Sequence, residues 1–105
     1  MRRGDVIRLR PRGRSGHEQQ GARYAVIVQS DALMRLSTVI VAPTSTVVRP
    51  AGSRPLISVD GISTRVLVEQ MVTIDASFAT DVVDHLGLED LWAVDDAMSF
   101  VLGLA

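Results

Sequence analysis

The stretch GHEQQGARYAVIVQSD, residues 16–31, sets one arginine between a polar, glycine-flanked loop and a block of aliphatic residues. The loop carries Glu18, Gln19 and Gln20, and Arg23 stands at the hinge where the core-like run AVIV begins. All eleven basic residues of the chain are arginines. A planar guanidinium fork suits bidentate contact with phosphate, although a codon bias toward arginine accounts for the preference equally well. Charge is also unevenly spread. Residues 1–54 hold ten arginines against Asp5, Glu18 and Asp31, a balance of +7, whereas residues 55–105 hold Arg65 against nine acids, a balance of −8. That split points to a polyanion site near the front half or, as the plainer reading, to two halves that neutralise each other in space.

These residues need a scaffold, and the composition bounds it. A chain of 105 residues makes one domain, 1–105, with one modest core. Hydrophobic residues make up 47%, as in a globular protein. The longest apolar runs, AVIV (25–28) and VIVA (39–42), are far too short to span a bilayer, and the basic N-terminus lacks the apolar segment of a signal peptide. There is no cysteine, which excludes disulfides and thiolate metal sites. The expectation is a cytoplasmic protein without metal or other cofactor.

Along the chain, DVIRL (5–9) reads as a strand with Val6 and the Leu9 end inward, and residues 10–21 as a long loop of the kind that carries function. ARYAVIVQ (22–29) and STVIVAPTST (37–46) read as central strands, with Pro43 ending or bulging the second. Between them SDALMRLS (30–37) makes a turn with a short helical piece capped by Ser30 or Asp31. PLISVDG (55–61) and TRVLVEQ (64–70) form a hairpin about an Asp-Gly turn. IDASFATD (74–81) is a short helix or helical turn, and VVDHLG (82–87) a brief edge strand. The clearest element is LEDLWAVDDAMSFVLG (88–103), a helix with Leu91, Val94, Met98, Val101 and Leu102 on one apolar face and Gly103 as its C-terminal stop. The sum is an α+β protein, a small, partly closed antiparallel β-barrel with a short helix and a closing C-terminal helix.

Five segments, in order, resemble the MazF/PemK family of toxin endoribonucleases. GHEQQGAR (16–23) before AVIVQSD resembles the family's loop-to-strand signature, in which an arginine-proline pair precedes a hydrophobic strand. RRGDVIRL (2–9) resembles its opening strand, VIVAPTST (39–46) its Ala-Pro-x-Thr strand end, and VEQMVTID (68–75) and VDDAMSFVLGL (94–104) its closing pieces. The resemblance implies a homodimeric, SH3-like (CcdB/MazF-type) barrel that cleaves single-stranded RNA at a short sequence. It also implies a cognate MazE-like antitoxin whose C-terminal tail covers the RNA groove. The family's chemical arginine and threonine fall on Arg23 and Ser45.

Cleavage of RNA without a metal uses the substrate's own 2′-OH as nucleophile. Arg23 would then stabilise charge on the phosphate or donate a proton late, since a guanidinium is always protonated. Glu18 is the nearest carboxylate in sequence for removing the 2′-OH proton, and Ser45 would donate a hydroxyl hydrogen bond to the same phosphate. In a regular strand Thr46 points to the other face, and a bulge after Pro43 would exchange the two. Gln19, Tyr24, Thr44, Thr46 and Gln70 are candidate RNA contacts, and Arg12 and Arg14 would attract backbone phosphates. His17 reads as incidental and His85 as structural. Trp92, beside the helix stripe, reads as packing or a dimer contact.

The chain departs from the family pattern at four places. Tyr24 replaces the proline after the arginine, Ser45 replaces threonine, Val72 stands where a basic residue is common, and Asp84 stands where glycine is common. These departures keep an alternative open: a non-enzymatic or catalytically weakened MazF/CcdB-like protein that acts by binding an antitoxin or gyrase. The chain ends in LGLA, without the terminal tryptophan of gyrase-poisoning relatives.

Overall fold

The computed structural model describes residues 1–9 and 23–104. Expectations placed on Arg12, Arg14, His17, Glu18 and Gln19 lie outside the described residues.

Among the described residues, seven strands and one α-helix form the scaffold: β1 (Asp5–Leu9), β2 (Arg23–Ile27), β3 (Thr38–Ser45), β4 (Leu56–Val59), β5 (Ile62–Val66), β6 (Val72–Asp75), β7 (Val82–His85) and α1 (Leu88–Val101). All pairings are antiparallel, in the order β4-β5-β3-β2-β1-β7, with β6 pairing β3 off this path. A strand shows alternate residues to opposite faces, and here both faces are covered. Val6, Val26 and Ala42 enter one buried cluster, with Val66, Val94 and Ala97. Ile7, Ala25, Ile27, Val39 and Val41 enter a second. Aliphatics on both faces give AVIV its unbroken apolar reading. In β1 it is Ile7, not only Val6, that is fully buried, and Leu9 packs against the second cluster.

Pro43 neither ends β3 nor bulges it. It pairs with Ala25 on one side, and on the other its carbonyl accepts the Leu67 N–H at 2.8 Å. β3 changes neighbour at this point, pairing β6 over Thr38–Val41 and β5 at Thr44 and Ser45. A proline has no N–H to give, so the gap between two partners is the position where its absence costs least.

Three other expectations shift. The run 64–70 is not a single strand: β5 stops at Val66 and Val68–Gln70 forms a 3-10 turn. The run 74–81 is helical only over Ala76–Ala79, where the Asp75 carboxylate caps the turn through Ser77 N–H at 2.9 Å. On α1, Leu91, Val94, Met98 and Val101 pack as expected, joined by Ala97, but Leu102 is 54% exposed. Leu102 is the C-cap, past the last helical turn, where the stripe loses its angle. Gly103, at φ +73°, then closes the helix, with its own N–H on Phe100 O and the Leu104 N–H on Ser99 O.

The barrel's two sheet ends, β4 and β7, are joined by side chains. Asp84 Oδ2 on β7 accepts the Asp60 N–H beyond β4 at 2.7 Å, and its Oδ1 accepts the His85 N–H at 2.8 Å. Asp90 of α1 takes the Ser58 N–H of β4 at 3.1 Å. Two carboxylates therefore occupy edge amides that would otherwise invite another strand. The hydrogen bonds from the Asp60 and His85 amides hold the Asp84 carboxyl below its ordinary range, against the opposing pull of burial. A carboxyl whose pKa is lower folded than unfolded stabilises the fold above its unfolded pKa, and loses that contribution as pH falls through the folded value. Asp84→Asn presents an amide nitrogen to one of two N–H donors, so it should cost about 1–2 kcal/mol at neutral pH. It should also flatten the wild-type loss of stability as pH falls below roughly 4, the ordinary carboxyl value, both read by urea denaturation across pH.

Candidate functional site

β2 and β3 lie side by side, and Ala25 opposes Pro43 in their register. Beyond this pair lie the ends of the two strands, Arg23 as the first residue of β2 and Ser45 as the last of β3. Arg23 shares a sheet face with Ala25 and Ile27, and Ser45 shares it with Val41, so the guanidinium and the hydroxyl stand on one side of the strand pair. Tyr24 and Thr44 face the other way, toward the barrel mouth. Thr44 Oγ1 donates to Tyr24 O at 3.1 Å, which ties the two strands together where their ladder ends.

Around these strand ends opens a groove of about 860 Å³. Arg23, Tyr24, Thr44, Ser45, Thr46 and Gln70 all line it. The 3-10 turn that shortens the β5 run is what delivers Gln70, with its N–H on Leu67 O at 2.9 Å. Ser45 Oγ accepts the Val47 N–H at 3.2 Å, and its own hydroxyl hydrogen goes to no partner among the described residues. Thr44's hydrogen is already committed to Tyr24 O, so toward a ligand it offers only acceptor capacity. Thr46 lies just beyond the strand and is exposed. Arg23 is exposed and, among the described residues, takes part in no ion pair.

Sequence reasoning missed Arg8, which lines the same groove with Val59, Asp60, Ile62, Thr64, Leu67 and Val83. A signal for Arg8 existed: it keeps step with the inward-facing Val6, and a charge at an inward position near a strand end belongs at a barrel mouth. The hairpin residues carried no such mark, because their approach to the groove depends on the curl of the sheet.

The neutralising reading of the charge split holds in part. Arg3 Nη1 meets Asp95 at 2.6 Å and Arg54 Nη2 meets Glu69 at 2.9 Å, each joining a front-half arginine to a back-half acid. Arg8 reaches Asp81 only loosely, at 3.9 Å with both side chains half exposed. Of the described arginines, Arg8 and Arg23 line the groove. His85 is structural, with Nδ1 2.8 Å from Asp5 Oδ1. Among the described residues no three His, Cys, Asp or Glu side chains converge as a metal site would need. No described helix is long and apolar enough to cross a membrane.

The groove thus brings together an exposed arginine, a hydroxyl and a row of polar side chains, the donor chemistry that phosphate contacts use. The family of PemK-like, MazF-like toxins of type II toxin–antitoxin systems matches residues 2–102. The chain belongs to the PemK/MazF family. Among PemK/MazF relatives, a toxin candidate of Mycobacterium tuberculosis (strain ATCC 25618 / H37Rv) is 44% identical, over 85% of this chain and 84% of its own length. The endoribonuclease EndoA of Bacillus subtilis (strain 168) is 32% identical, over 99% of this chain and 96% of its own. In fold, the chain is similar to an endoribonuclease from a mycobacterial species solved in complex with its cognate antitoxin. The TM-score is 0.82 at 20% identity, covering 100% of this chain and 97% of that one. The nearly closed antiparallel barrel with one C-terminal helix is thus the PemK/MazF architecture.

Proposed function

We propose that this chain is a sequence-specific endoribonuclease, the toxin partner of a cognate MazE-like antitoxin, and that it acts in the cytoplasm on single-stranded RNA. The observation that carries the reading is that Arg23, Ser45, Tyr24, Thr44, Thr46 and Gln70, scattered in sequence, line one groove. The 32%-identical relative named as an endoribonuclease supports it over nearly the whole chain.

In the proposed reaction the RNA's 2′-oxygen attacks the adjacent phosphorus. The new P–O2′ bond forms as the P–O5′ bond breaks, leaving a 2′,3′-cyclic phosphate and a 5′-hydroxyl. The 2′-OH proton goes to a carboxylate, the role expected of Glu18, and the leaving 5′-oxygen takes up a proton. Arg23 donates two parallel hydrogen bonds to the non-bridging oxygens as they gain charge. Ser45 donates a third. No metal is required, because the guanidinium supplies the positive charge.

The mycobacterial neighbour's antitoxin complex supports an antitoxin partner. A homodimer is supported by the uncovered apolar side of α1, where Leu88 is 61%, Trp92 57% and Phe100 65% exposed. The exposure of Trp92 supports the dimer-contact reading over internal packing. The test is to incubate the protein with mixed single-stranded RNA in EDTA and analyse the products. Fragments ending in 2′,3′-cyclic phosphate support the reading, and RNA that stays intact across varied sequences rejects it.

A further inference from the structure

Arg8 and Tyr24 sit directly opposite each other on β1 and β2. The Arg8 Cζ lies over the Tyr24 ring, 5.9 Å from its centroid. The ring is partly buried and packs against the barrel's main apolar cluster, so its inner face is supported from below. Its backbone is held as well, since the Thr44 hydroxyl donates to Tyr24 O. On β1, the Arg8 N–H donates to Asp81 O at 2.9 Å, which fixes the root of the arginine. Core cluster, tyrosine ring and guanidinium therefore follow one another, and the Arg8 side chain lines the groove and is 47% exposed.

We infer that the Arg8 guanidinium, backed by Tyr24, is a stacking platform for one unpaired base of the RNA. The inference deepens the nuclease reading and rests on it for the ligand class. A guanidinium plane stacks on a base as an aromatic ring does, while its edge donors stay free for a neighbouring phosphate or base edge. Asp81, at 3.9 Å from Nε, is too far and too exposed to occupy those donors. Tyr24 explains itself in this arrangement: in place of a proline it brings a ring whose negative face attracts and orients the arginine.

Lysine separates the two roles Arg8 can play, because it keeps the charge and loses the plane. The probe is a fluorescein-labelled pool of single-stranded 2′-O-methyl RNA heptamers, which bind but cannot be cleaved for want of a 2′-OH. Arg8→Lys should weaken binding by roughly tenfold or more while leaving the salt dependence unchanged. Arg8→Gln should weaken binding and also make the salt slope shallower by about 0.7. Tyr24→Leu should behave like Arg8→Lys, with thermal denaturation confirming that each variant is folded. Arg8→Lys that binds as tightly as wild type overturns the platform, as does a wild type that binds no probe. Cleavage of unmodified RNA, measured alongside, keeps the two readings apart. Wild type that cleaves while Arg8→Lys binds normally sinks only the platform; wild type that binds without cleaving, and loses binding in Arg8→Lys, sinks only the nuclease.

Discussion

Arg23→Ala should lower the rate of RNA cleavage by about 10²–10³-fold, the effect of removing one well-placed donor, worth roughly 3–4 kcal/mol, from a developing oxyanion. The barrel itself should be untouched. Arg23 is exposed at the start of β2, and its removal breaks no ion pair among the described residues. Surface changes of this kind usually alter stability by less than about 0.5 kcal/mol. Arg23→Lys should recover only part of the activity, because an ammonium cannot span two oxygens with a fixed fork. The position favours strong catalysis because β2 continues at once into Ala25, Val26 and Ile27, all fully buried. A donor anchored on a rigid strand needs no reorganisation as charge develops. Single-turnover rates with one defined substrate, beside urea denaturation midpoints, check both halves of the expectation.

Gly4→Ala should cost about 2 kcal/mol of stability and lower the melting temperature by roughly 10 °C. Gly4 has φ +94°, a conformation that side chains rarely adopt. The backbone cannot relax out of it easily, because the Gly4 N–H donates to Ile27 O at 2.8 Å and its carbonyl accepts the Leu86 N–H at 2.9 Å. A Cβ there would meet His85 Cε1 at 3.2 Å and both Leu91 methyls at 3.5 Å. His85 has little room to yield while its Nδ1 holds Asp5 Oδ1 at 2.8 Å. The Arg-Gly-Asp triplet at 3–5 is thus a joint: Arg3 reaches Val28 O and Asp95, Gly4 turns, and Asp5 grips His85. Differential scanning calorimetry of the variant reads the loss directly.

Elements with a strong local pattern were legible in the sequence. β2, the two-residue turn at Asp60 and Gly61, and α1 with Gly103 stand where composition and spacing put them. The rest depends on partners distant in the chain. β6 is short, and only Ile74 among its residues is half-buried, so no alternation announces it; its strand character comes from lying along Thr38–Val41. Pro43 reads locally as a stop, yet the change of partner along β3 removes the need for its N–H. The site divides in the same way. Six predicted residues meet at one groove because the resemblance supplied their relation, not because any local rule could. Arg8 escaped notice because its value lies in standing opposite Tyr24, and register across strands is invisible in a single run of five residues. Thr44 lines the groove, and its hydroxyl hydrogen also joins two strands, a role that no local pattern announces.

The reading of this groove turns on whether Arg23 drives phosphodiester cleavage. The most direct measurement is sequencing the 5′ ends of RNA fragments made by wild type and by Arg23→Ala at equal concentration in EDTA. Discrete ends at one short recurring sequence for wild type, with almost none for the variant, are the predicted result. Equal cleavage at the same positions by both proteins would contradict it.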